Sequence, residues 1–377
     1  MTTSEHPLDR HPHFVRWTDP VSQVSSFVLS THLAPVQKAL YFQTPAIKGE
    51  SQWLWFQALT PPAEKWVLGA VCLDPSNPEI RLFSGAQIGG SPWVEVDGES
   101  CVVPVGDGLY RFHVDGEFET LFLFPEEVRK GRHLFELTTT LDVTCDLKKY
   151  LLSTRVGNRW LIGTVDRING EYHCVEEFST AHIHAFTSPV DPNVICVNQN
   201  HWMDPITGLK SNMNIRSWLM TLDGERYEPL YGDLCFNRTA MGCHEWFGPD
   251  GSLYWCDYRE GIWKSGVGPD RSRNLVWERP SWHGQTDPVK GRFLVADIRP
   301  YTWDPCQVYF FDSISGNEIA IASDLPRPRV MKGNWRKWHL DPHPGFSADA
   351  CFVSYTTTVL DKRSVALCPV QDLVDCL

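Results

Sequence analysis

From Val24 to Val370 the chain runs in short stretches of β-branched and aromatic residues, broken by Gly, Pro, Asn and Asp, with almost no helical periodicity. This pattern predicts strands joined by tight turns. One unit recurs within it: a polar or aromatic residue, a turn built on Pro or Asp, then an apolar strand. Copies stand at 143–152, 184–195, 242–255, 285–294 and 345–353. In the third, Cys243-His244-Glu245 leads into Trp246-Phe247, a Gly248-Pro249-Asp250-Gly251 turn and Leu253-Tyr254-Trp255. Further strands lie between copies, with hairpin turns at Asp223-Gly224 and Ser315-Gly316-Asn317.

Copies recur every ~40 to 60 residues, the period of a four-stranded blade. An all-β β-propeller follows, of six or seven blades and most readily seven. A pair of β-sandwiches would lack the repeated turn-then-strand unit. The amino-terminal third repeats less clearly, with strands at 52–56 and 66–71 around Pro61-Pro62, and its blades are not countable from sequence. No Gly- or Ser-rich linker divides the chain, so residues 1–377 read as one propeller domain with 1–20 as an extended amino-terminal segment.

Composition narrows the partners. A formal charge of −12 disfavours a nucleic-acid surface and long polyanions, yet a local basic pocket can still hold one carboxylate. Residues 1–14 lack the apolar core of a secretory signal, and no apolar run reaches membrane-spanning length. The expectation is a cytoplasmic protein acting on a small molecule, with no nucleic-acid or membrane partner and an oligomeric state that the sequence leaves open. Twelve cysteines stand singly without a CxxC pair, which points to buried reduced thiols rather than disulfides or zinc. Sixteen tryptophans suit stacking on sugar faces, fused rings or terpenoid hydrocarbons, besides filling the core.

Propeller sites form where the loops before the innermost strands converge. Histidines stand at that place in four copies: His182 and His184, His244, His283, and His339 with His343. One such histidine usually serves structure, whereas recurrence across blades marks a shared site. Glu245 reads as a carboxylate orienting His244. Gln199-Asn200-His201-Trp202 reads as lining the substrate entrance, and Asn237-Arg238 could face the same mouth, although Asn-Arg-Thr also serves to satisfy a loop's backbone. No GxSxG elbow, Walker loop or GxGxxG after a strand is present, which removes support for serine hydrolysis, phosphoryl transfer and Rossmann redox chemistry.

Over about residues 140–356 the chain resembles the oligogalacturonate lyase family. The likeness rests on His184-Ala185-Phe186-Thr187-Ser188-Pro189-Val190-Asp191-Pro192, Arg216-Ser217-Trp218, the Gly242 to Gly251 stretch, Trp282-His283 and His343-Pro344-Gly345-Phe346-Ser347. It implies a seven-bladed propeller that performs eliminations on uronides with a divalent metal, commonly manganese. It also implies His244 as the proton-abstracting base, Arg216 as partner of the substrate carboxylate or leaving oxygen, and His283 and His343 as metal ligands.

The chain departs from the family at Trp338-His339-Leu340-Asp341-Pro342-His343, where Trp338 replaces a Gln and Asp341 a His. Asp341 can still ligate, and His339, Asp341 and His343 would share one face if the segment were extended. Trp338 joins His182, His184, His201, Trp202 and Arg238 as an expected substrate contact. The leading expectation is a carbon–oxygen lyase acting on a small oxygenated or acidic saccharide-like substrate. One alternative is a propeller that dehydrates a small metabolite and guides its cyclisation, as in a hetero-Diels–Alder-type step. Another is a non-catalytic, protein-binding propeller.

Overall fold

The computed structural model describes residues 5–61, 63, 65–203, 207–211, 215–230, 242–269, 271–298, 305–326 and 340–377. Seven antiparallel sheets form a seven-bladed β-propeller, each blade ordered from the central channel outward. The recurrent unit is the inner hairpin of blades 3 to 7. Its inner strands are Asp142–Val143, His182–Thr187, Gly242–Phe247, Gly284–Thr286 and Gly345–Phe346. The amino-terminal third supplies blade 1, from Val36–Lys38 to Ile80–Ile88, and blade 2, from Trp93–Val94 to Phe118–Leu123.

The ring closes in blade 7. Carboxy-terminal strands form its inner part, and Ser25–Leu29 joins Ser364–Pro369 through the Phe27–Leu367 and Val28–Ala366 pairs. Within the first twenty residues, Pro7–Arg10 is a 3-10 turn, and Phe14–Thr18 is the outermost strand of this blade. Asp19 ties it to blade 6, accepting from Ser323 N and Oγ at 2.8 Å each.

Each blade buries alternate residues against the next. Leu151, Ile162, Ala185, Ile195 and Val197 pack between blades 3 and 4, and Phe186, Cys196, Leu219 and Leu253 between blades 4 and 5. Each such aliphatic or aromatic side chain contributes roughly 1.5–3 kcal/mol when taken from water. The Pro249-Asp250-Gly251 turn needs its glycine twice over. Its φ is +76°, and an added Cβ would meet Val190 Cγ2 of the neighbouring blade at 2.4 Å.

Eleven described cysteines are free thiols. Cys72, Cys101, Cys196, Cys256, Cys306 and Cys368 are buried as the sequence implied, but Cys145, Cys174, Cys351 and Cys376 are exposed. These four lie in turns, an outermost strand and the terminal helix, where no sheet covers them. Among the described residues no helix is long and apolar enough to cross a membrane.

Candidate active site

The site begins with a backbone irregularity shared between blades. In blade 4, Ile183 pairs with Asn198 but Phe186 with Cys196; in blade 5, Cys243 pairs with Cys256 but Trp246 with Tyr254. Each inner strand thus carries one extra residue at the same place, a β-bulge that re-aims its side chains. At both bulges a histidine sits in the left-handed region: His184 has φ +50° and His244 +54°. His343, just before the inner strand of blade 7, has φ +46°. This conformation costs a non-glycine residue ~1–2 kcal/mol, although histidine tolerates it better than most.

The re-aimed rings meet at one mouth of the channel. His283 lies 4.2 Å, centroid to centroid, from both His244 and His343. Tyr41, from blade 1, links the group, with its ring 5.0 Å from His343, 6.2 Å from His283 and 6.3 Å from His184. Phe42 packs beside His244 and His283. Tyr258 stacks on Trp282 at 3.9 Å, forming an aromatic wall next to His244.

Hydrogen bonds set the state of each group. His244 Nδ1–H donates to the Trp282 carbonyl at 2.6 Å, which fixes the tautomer and leaves the Nε2 lone pair. Burial, followed by the charges of His283 and Arg216, holds its pKa well below the usual histidine value. His184 is driven down to about 3 by burial and then by Arg216, and its buried Nδ1 has no hydrogen-bond partner among the described residues. His283 Nδ1–H donates to Asp297 Oδ2 at 2.8 Å, leaving Nε2 for a ligand.

Arg216 stands just before Ser217–Thr221, and its Nε donates to Glu245 at 3.2 Å. Burial is the largest influence and opposes this charge, but the surrounding groups, the Glu245 carboxylate first among them, together raise its pKa and hold the guanidinium protonated. Glu245 also accepts from Ser217 Oγ at 2.8 Å and Asn198 Nδ2 at 2.9 Å. The bulge points it away from His244, so Glu245 orients the arginine rather than the histidine. That corrects the sequence expectation.

Comparison with known proteins gives the fold a precedent. No protein-family model matches the chain, and no curated protein matches it by sequence. Among solved structures, an oligogalacturonate lyase in complex with manganese superposes with TM-score 0.74 at 16% identity, covering 94% of this chain and 96% of that one. An oligogalacturonate lyase from Vibrio parahaemolyticus gives TM-score 0.74 at 16% identity, over 95% and 96%. The fold is that of an oligogalacturonate-lyase-like propeller.

Within this lyase-like propeller, the metal donors expected from sequence are partly assembled. One ligand atom each from His283, Asp341 and His343 lies within 4.8 Å of the others, and His343 Nε2 is 4.0 Å from Asp341 Oδ2. Residues 340–344 are not a strand, so Asp341 and His343 meet through the left-handed turn at His343 rather than a shared strand face. The donor set fits a divalent ion: two imidazoles and a carboxylate, with the far nitrogen of one imidazole, that of His283, fixed by Asp297. His339, Trp338 and Arg238 lie outside the described residues.

Other expected contacts fall elsewhere. His182 uses both ring nitrogens, Nδ1–H donating to Thr180 O at 2.9 Å and Nε2 accepting from Tyr227 at 2.8 Å. It stacks on Phe178 at 3.8 Å, and those bonds keep it out of the cluster. His201 is exposed and Trp202–Met203 pairs with Lys210–Ser211, a hairpin rising from the end of blade 4 that carries Arg216.

Sequence reasoning missed Asp297, Tyr41, Phe42 and Tyr258. Asp297 is fully buried; besides His283 Nδ1 it accepts the backbone N–H of His283 at 2.9 Å and of His343 at 3.1 Å. Its signal was a lone acid inside the apolar run Leu294-Val295-Ala296-Asp297-Ile298. Tyr41 and Phe42 follow a three-residue strand with no repeat pattern, so nothing in the sequence marked them.

Proposed function

We propose that this propeller is a carbon–oxygen lyase that eliminates water or an alcohol from a small oxygenated or acidic saccharide-like substrate. The observation that supports it is the 2.6 Å bond from His244 Nδ1–H to the Trp282 carbonyl, which keeps a neutral imidazole with Nε2 as its only basic atom. Nε2 takes the proton next to the substrate carboxylate or carbonyl, the electron pair becomes a carbon–carbon double bond, and the oxygen on the adjacent carbon departs. Arg216, charged and held by Glu245, pairs with the carboxylate and with the negative charge that develops on it. A divalent ion held by His283, Asp341 and His343 would supply Lewis-acid stabilisation of that charge.

A second reading draws on the aromatic wall. Stacked Tyr258 and Trp282, with Tyr41 and Phe42, suit a less polar substrate than a uronide. The same base and arginine would then drive dehydration to a reactive intermediate whose cyclisation the wall guides, in the manner of a hetero-Diels–Alder-type step.

The test joins metal analysis of the purified protein to the absorbance of unsaturated products from oligogalacturonides. Expected are bound divalent metal, product formation, and a fall of ~10²–10⁴ in turnover for His244→Ala. Unchanged turnover in His244→Ala removes the base. No product from oligogalacturonides, with dehydration of a less polar hydroxylated substrate, moves the assignment to the second reading.

A further inference from the structure

We propose that the opposite mouth of the channel is a second binding site, for an uncharged aromatic small molecule bearing an amide-like donor and acceptor. The two mouths are separated by a bulge of blade 1. Lys38 pairs with Gln57, whereas the carbonyl of Ala46 accepts from Trp55 N at 3.0 Å, so two steps along one strand face eight along the other. The surplus residues, 39–45, enter the channel and are fastened to several blades. Phe42, 1% exposed, packs on Trp246. Gln43 Nε2 donates to the Glu245 carbonyl at 2.5 Å, and Thr44 Oγ1 to the Pro92 carbonyl at 3.2 Å. At Gly345 an added Cβ would lie 3.0 Å from the Phe42 carbonyl oxygen.

Beyond this partition lies a cavity of about 270 Å³ between the turns that follow the inner strands, and none of the clustered histidines lines it. Its volume is near the lower end of small-molecule sites, which run to roughly 300–1,000 Å³. Trp93, Trp246, Phe186 and Phe247 supply aromatic walls, with Gln43 and Gln285 between them. The two amides have fixed orientations. Gln43 gives its NH2 to a carbonyl, leaving Oε1 as an acceptor; Gln285 takes the Phe346 N–H on Oε1 at 2.5 Å, leaving its NH2 as a donor. Neither remaining group has a partner among the described residues, and Gln285 is only 8% exposed. An unpaired donor and acceptor opening into a cavity with aromatic walls favour a ligand that answers both.

Charge selects against anions. Asp142, the acidic side chain in the described lining, repels anions. Its oxygens already accept from Val143 N at 2.8 Å and from Thr187 N and Oγ1 at 2.7 and 3.0 Å.

Benzamide is the probe, titrated by calorimetry into the full chain beside benzoate and benzylamine. Expected is saturable millimolar or tighter binding of benzamide, at least tenfold stronger than of benzoate. Gln285→Glu retains the acceptor for Phe346 N but removes the donor, and Cys145→Trp, on the exposed rim, fills the opening. Each should weaken benzamide binding at least tenfold, whereas His244→Ala should leave it unchanged. The site is overturned if benzamide does not bind, if the three probes bind alike, if both cavity variants bind normally, or if His244→Ala abolishes binding.

Discussion

Two buried carboxylates in this propeller hold arginines in different ways. Glu95, between blades 2 and 3, accepts from Tyr150 at 2.8 Å, Arg167 at 2.5 Å and Arg111 at 3.3 Å. The other terminal nitrogens of those arginines are also engaged, Arg167 Nη1 on the Leu147 carbonyl at 2.9 Å and Arg111 Nη1 on Glu119 at 2.5 Å. Glu245 instead holds Arg216 only through Nε, and among the described residues neither terminal nitrogen of Arg216 has a hydrogen-bond partner. A network that engages both terminal nitrogens of each arginine joins blades, whereas an arginine gripped from behind presents its fork to something the fold does not contain.

Breaking the first network should have the largest effect. Glu95→Ala leaves two arginines and a tyrosine without their acceptor in a site where the carboxylate is 5% exposed. Loss of one member of a buried pair costs about 3–5 kcal/mol, so the denaturant midpoint should fall sharply while the substrate affinity of whatever remains folded stays normal. A fall below 1 kcal/mol, on the order of a surface substitution, would show that solvent replaces the carboxylate and would dissolve the contrast.

Glu245→Gln should do the reverse at a smaller scale. The amide oxygen still accepts from Asn198 and the amide NH2 can donate to Ser217 Oγ, but the side chain no longer accepts from or balances Arg216. Supporting partners of this kind are worth about 10–100-fold in activity, and the loss should appear in kcat/KM with little change in stability. A variant that unfolds without losing kcat/KM would place Glu245 with Glu95, as a structural carboxylate.

The repeat made the propeller legible, because each inner hairpin carries the same turn chemistry and apolar strand. His244, His283, His343 and Arg216 were legible too, through their shared place before those strands. What stayed hidden depends on geometry that periodicity does not encode. His182 and His184 are two residues apart and looked equivalent, yet the bulge sends only His184 into the cluster while Tyr227 and Thr180 retain His182. Tyr41 and Phe42 reach the site through a bulge of a strand whose partner residues give no sign of it. Glu245 was read against its sequence neighbour, and the same bulge turned it toward Arg216.

Acid separates the two regions by a smaller effect with a different pH window. His184 stays neutral in the fold down to about 3, because burial and then Arg216 oppose its charge, while in the unfolded chain it titrates near 6.5. Unfolding therefore takes up a proton below pH 6.5, and the stability present above that value is lost as pH falls toward 3. At pH 5.5 the loss from this ring is about 1.4 kcal/mol. Burial opposes ionisation of Glu95, but Tyr150, Arg167 and Arg111 together outweigh it and hold the carboxyl below the usual glutamate value of 4.5. Its contribution is intact above 4.5 and goes only as pH falls further. Other buried histidines share the upper window, so denaturant midpoints at pH 7.5 and 5.5 must be compared between the parent and His184→Gln. The variant should lose less stability over that interval by about the amount above, with Glu95 contributing to neither slope; equal losses would mean that His184 is protonated in the folded site.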